Sequence, residues 1–168
     1  IAADGSPVLL LEQDRARWDR LQIQRGLTAL TRAQRLGGAE GPYTLQAAIA
    51  ACHARAAHAE DTDWTRIAAL YTTLAQVRPS PVIELNRAVA IGKAHGPAPA
   101  LALVDALCES GALRDYGLLF AVRGDLLEQS ARHGEARIEF ERAAALATNA
   151  RDRALMRARA DACGISMA

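Results

Sequence analysis

The sequence predicts an all-α protein, an antiparallel helical-repeat solenoid of about eight helices, and three observations carry that prediction. Alanine, the best helix former, supplies 38 of the 168 residues, while aromatic residues are only 4%. A β-sandwich would need far more β-branched and aromatic side chains than this chain holds. Apolar residues recur at helical spacing, and one such triplet returns with a period near 34 residues, the signature of stacked helix pairs. The expected organisation is a single domain over 1–168. It has an extended lead-in at 1–11, a long first helix and turn over 12–42, three helix pairs over 43–147 and a capping helix over 150–163.

Each element follows from local signals. Asp4-Gly5-Ser6-Pro7 marks a turn in the lead-in. Asp14 is expected to cap a helix running to about Arg35, with Trp18, Leu21, Ile23, Leu27 and Leu30 on its apolar side and Gly37-Gly38 as its stop. Pro42 suits the first turn of a second helix ending near Ala57. Carboxylates in Glu60-Asp61-Thr62-Asp63 favour a third helix start, and Arg78-Pro79-Ser80-Pro81 interrupts that helix. The fourth runs from Pro81 to His95-Gly96 and the fifth over 98–109, stopped by Gly111. The sixth, seventh and eighth are expected over 114–131, 134–147 and 150–162. Short connections make neighbours antiparallel.

Composition narrows function. Lys+Arg total 20 against 19 Asp+Glu, so no basic stripe for a phosphate backbone shows in the balance. Lys93 is the only lysine; a charge set made of arginine suits bidentate carboxylate pairing. Cys52, Cys108 and Cys163 are odd in number and widely spaced, which predicts buried free thiols in a reducing cytosol and no disulfide framework. His53, His58, His95 and His133 show no ligand spacing, so no metal or other cofactor is expected. No nucleophile-elbow, zincin or phosphate-loop motif occurs, and the chain reads as a binding module and not as an enzyme. No apolar run approaches the ~18 residues of a membrane span, and no secretion signal opens the chain. A start at Ile1 is expected of a segment from something longer.

In the seventh helix Ala136, Phe140 and Ala143 share a face. Ala100, Val104 and Leu107 lie 36 residues earlier, and Ile67, Tyr71 and Leu74 a further 33 back. With Phe120, Gly124 and Leu127 on the helix before, the stretch 117–150 resembles a tetratricopeptide repeat: large–small–large on one helix, small–aromatic–small on the next. Thr148 replaces the closing proline, whereas the stretch ending at Pro79 keeps it. The eighth helix reads as a cap, with Leu155 and Met156 inward and Arg151, Arg153, Arg157, Arg159 and Asp161 in water.

Four phrases in order, LLEQDRARWDR (10–20), GPYTLQAAIAACHA (41–54), EDTDW (60–64) and PSPVIELNRAVAI (79–91), resemble the C-terminal extension of a group of extracytoplasmic-function (ECF) sigma factors. The resemblance runs from about Leu10 to Ala162. It implies a cytoplasmic, regulatory protein-interaction domain that modulates transcription initiation. Its partners would be the upstream sigma regions of the same polypeptide or RNA polymerase, without direct nucleic-acid or membrane contact. A free-standing repeat scaffold for a peptide or protein partner is the alternative. Partner-binding candidates are Asn86 and Arg87 on the fourth helix, Trp64 with Asp61 and Asp63 at the third helix start, and Trp18 with Arg15 and Arg17 on the first. Each has a structural alternative: a satisfied mid-helix amide for Asn86, helix capping for the aspartates, and intradomain anchoring for the tryptophans.

Overall fold

The computed structural model describes residues 13–165, so the expected lead-in at 1–11 lies outside them. Among the described residues there are eight helices and no strand. They are α1 (Arg20–Ala33), α2 (Pro42–Arg55), α3 (Trp64–Val77), α4 (Pro81–His95), α5 (Pro97–Ser110), α6 (Gly117–Gln129), α7 (His133–Leu146) and α8 (Ala150–Ile165). The chain forms two compact units, Ile1–Arg78 and Pro79–Ala168, divided at the Pro79-Ser80-Pro81 break.

The first unit departs from expectation at its start. Asp14 caps a single 3₁₀ turn, Arg15–Arg17, accepting from the Ala16 N–H at 3.0 Å. The long helix begins only after Asp19, whose carboxylate accepts from the Gln22 N–H at 3.0 Å. Two aspartates five residues apart each offer a cap, and the second one starts α1. Beyond Ala33 the backbone continues through a loosened turn, Gln34–Gly38, where Gly37 takes φ 86°, a conformation open to glycine at no steric cost. Helix α1 buries one residue of its fourteen, Leu30, against Ala48 and Ala51 of α2. Leu21, expected on the apolar side, is 60% exposed.

Helix α2 starts with Pro42 in its first turn, where a missing N–H costs nothing, and packs against α3. Asp63 caps α3 by accepting from the Arg66 N–H at 2.9 Å. Ile67 and Leu74 are buried as the repeat pattern requires, and Tyr71 is half-buried.

In the second unit α4 packs on α5, α5 on α6, α6 on α7 and α7 on α8, each on the next in sequence. The repeat positions form its core. Ala100, Val104, Ala136 and Phe140 have no exposed surface, and Leu107 and Ala143 are also buried. Gly124 permits the closest approach. A Cβ there would lie 2.6 Å from Cε1 of Phe140, so the ring rests directly on the α6 backbone. The small–aromatic–small pattern is therefore a packing rule: the ring occupies the space that a small residue leaves.

Helix α8 is capped reciprocally. The Asn149 side chain accepts from the Asp152 N–H at 2.8 Å and donates to its carboxylate at 2.7 Å. Its inward face differs from the expected one. Ala160 and Cys163 are buried and Met156 packs beside them, while Leu155 is 46% exposed. Arg159 does not stand in water. Its guanidinium lies 4.2 Å from the centroid of the Phe140 ring and pairs with Asp125 and Glu128 of α6. A planar cation can cover an aromatic ring and satisfy two carboxylates together.

Candidate functional site

The candidate residues from the sequence fall into two sets. In the first unit Arg15 is buried and organises the α2–α3 connection. Its Nη1 donates to the carbonyls of His53, Ala56 and His58 at 3.0, 3.2 and 3.1 Å, and its Nη2 donates to the Thr62 hydroxyl at 3.0 Å. The His53 carbonyl lies in the last turn of α2, where intrahelical partners run out, and those of Ala56 and His58 follow in the connection. The guanidinium also lies 5.3 Å from the Trp18 ring, whose Nε1 donates to Gln13 at 3.2 Å. The His53 ring meets Trp64 edge to face at 5.3 Å. Trp18, Arg15, His53 and Trp64 thus form one continuous clamp.

Arg15 is buried, and its Nη1 and Nη2 are engaged within the unit by three backbone carbonyls and the Thr62 hydroxyl, the intradomain anchoring that stands as the alternative to partner binding. Asp63 is a helix cap, and Asp61 closes the preceding turn by accepting from the His58 N–H at 3.3 Å. Arg17 alone of this group is exposed without a partner among the described residues. Burial, and then the Arg15 charge, hold the His53 imidazole below its usual value.

In the second unit Asn86 and Arg87 are half-buried on α4, and Arg87 pairs with Glu84 one turn back at 2.8 Å. Two ion pairs sharing Arg123 link three helices. Arg123 of α6 donates to Asp105 of α5 and to Glu139 of α7, both at 2.8 Å, and Glu139 is buried. The pairs fix the faces that α5 and α7 turn toward α6.

One groove of the second unit contains none of the candidates from the sequence. This groove, of about 410 Å³, opens where the start of α6, the end of α7 and α8 converge. Tyr116, Leu118, Ala121, Leu146, Ala147 and Met156 line it, with Asp115 and Asp152 adding carboxylates. Tyr116 and Leu118 are 40% and 48% exposed. The run Leu118 to Val122 is uniformly apolar, so periodicity does not tell which face it leaves outside.

Burial pushes the thiols of Cys52, Cys108 and Cys163 up, opposite to the shift that activates a nucleophile. Among the described residues no cluster of three or more His, Cys, Asp or Glu is placed to hold a metal ion, and no helix is long and apolar enough to cross a membrane.

No family model matches the chain, and no solved structure matches it. An uncharacterized protein of Rhizobium meliloti (strain 1021) is 48% identical over 159 residues. That alignment takes in 95% of this chain and 37% of the relative, so the chain spans little more than a third of the length of the curated relative it matches.

Proposed function

We propose that this chain is the C-terminal regulatory domain of an ECF-type bacterial sigma factor, and that the α6–α8 groove is its docking surface. The observation that carries the docking role is the groove itself. Helices held by a packed repeat core leave Tyr116 and Leu118 exposed beside a concave apolar wall. Such a wall accepts the apolar face of an amphipathic helix. The sigma assignment is supported by the four phrases between residues 10 and 91; a relative most of whose length lies outside the match fits a longer parent polypeptide. On this reading the promoter-reading regions belong to the remainder of the parent polypeptide. The domain biases whether they engage polymerase.

Run-off transcription with the intact parent factor, with and without this domain, tests the role. Deletion should change promoter-specific output while promoter binding persists; identical transcription in both would overturn it. Leu118→Glu adds a charge to the groove at a side chain already half in water. It should weaken binding to the sigma core or polymerase about tenfold or more without lowering the melting temperature. A native polypeptide no longer than these 168 residues would instead leave a free-standing scaffold.

A further inference from the structure

Helix α1 carries a face that the described residues of its unit leave exposed. Its fourteen residues include Arg20, Arg25 and Arg32 and no carboxylate, and Arg17 and Arg35 flank it. All five arginines are exposed, and none forms an ion pair among the described residues. The two nearby aspartates, Asp14 and Asp19, direct their carboxylates to backbone N–H groups as caps.

The same face is shaped as well as charged. Two ridges at i, i+4 spacing, Leu21–Arg25–Ala29 and Gln24–Thr28–Arg32, bound a shallow groove of about 370 Å³. Leu21 stands at one end of it, 60% exposed. A groove between i±4 ridges is the receptor for a ridge of another helix. Moreover, a fourteen-residue helix that buries only Leu30 has little tertiary support, and isolated helices of that length are marginal in water. Covering this face would add the support that its own unit leaves out.

We infer that the outer face of α1 is a second docking surface, and that its occupant is an acidic amphipathic helix of a protein partner. The partner's apolar stripe meets Leu21 and Ala29, and its flanking carboxylates pair with Arg25 and Arg32. Charge complementarity sets the sign of the partner, and the apolar ridge sets its class. A phosphate backbone would satisfy the arginines but leave Leu21 and Ala29 without a contact. Trp18, just ahead of α1, is half-buried beside Arg15, and the residues lining the groove include no aromatic on which a base could stack. This surface lies in the first unit, and the inference stands whether or not the α6–α8 groove works as proposed.

The test uses the full chain and fluorescence anisotropy. The probe is a synthetic eighteen-residue helix with leucines at third and fourth positions and glutamates on both flanks. Controls are a peptide of the same composition with scrambled leucines and a duplex DNA of matching length. The helical probe should bind at least about tenfold more tightly than either control, and more weakly as salt rises. Arg25→Glu with Arg32→Glu should weaken it about tenfold or more, whereas Arg157→Glu on α8 should leave it unchanged. A probe carrying lysines in place of glutamates should prefer the doubly reversed variant, a gain that misfolding would not produce. Should that variant fail to fold by circular dichroism, Arg25→Gln with Arg32→Gln replaces it, again with a loss expected. Equal binding of the scrambled peptide or of DNA, or indifference to these substitutions, overturns the inference.

Discussion

A guanidinium holds its five N–H donors in one plane and can satisfy several carbonyls that an ammonium on a flexible stem could not reach together. Arg15 uses this at the end of α2, where His53, Ala56 and His58 turn their carbonyls toward one point. Arg15→Lys keeps the charge but loses the fork. It should cost about 2 kcal/mol by urea denaturation, with a change under about 0.5 kcal/mol arguing that the clamp is incidental. His53 gives the same site a pH dependence. Its folded pKa lies below the unfolded value near 6.5, so the unfolded chain takes up the proton first as pH falls. Stability should be complete above about pH 6.5 and decline below it until the folded pKa is passed. Parallel melts of the parent and His53→Gln from about pH 7.5 to about pH 5 would show the decline only in the parent. The sequence makes Arg15 a candidate because it stands near Trp18. That its charge points inward depends on carbonyls some 40 residues away, which no local pattern encodes.

At the scale of elements, two glycines separate what periodicity reveals from what it hides. Gly26 in α1 has nothing within 4 Å of where a Cβ would stand, whereas a Cβ at Gly124 in α6 would meet the Phe140 ring. Gly26→Ala should therefore stabilise by about 0.8 kcal/mol through helix propensity alone, and Gly124→Ala should destabilise by about 2 kcal/mol through overpacking. Melting temperatures moving the same way for both would refute this reading. The repeat pattern marks Gly124 as a small position on α6; that the Phe140 ring fills the space it leaves is a matter of how α6 and α7 pack. The start of α3 is legible to within a few residues, because the run Glu60-Asp61-Thr62-Asp63 is compact and its last member is the cap. That of α1 is less so, near Asp14 and Asp19, where two caps compete. A hydropathy reading puts Arg159 in water because its charge outweighs its stem. Lying over Phe140 and paired with Asp125 and Glu128, it adds a charged side chain to the contact that Met156, Ala160 and Cys163 make between α8 and the core.

For the whole molecule, the division at Pro79 predicts how a local injury spreads. The core around Phe140 draws all its buried residues from Leu85 onward, and the Leu30 cluster draws its own from before Arg78. In stacked repeats, stability is a sum of local units and their nearest-neighbour interfaces, so damage travels along the stack by contact. Phe140→Ala removes a ring with no exposed surface and should cost about 4 kcal/mol where it acts. Hydrogen exchange should then show faster amides through α6, α7 and α8, with α2 and α3 keeping their protection. Arg15→Lys should give the mirror image, with α2 and α3 loosened and α6 to α8 unchanged. If either substitution lowered protection evenly along the chain, the two units would be one cooperative body. A docking partner on α1 would then be felt at the α6–α8 groove. If each stays confined, the two surfaces bind independently, and a regulatory effect that needs both must come from a partner touching both.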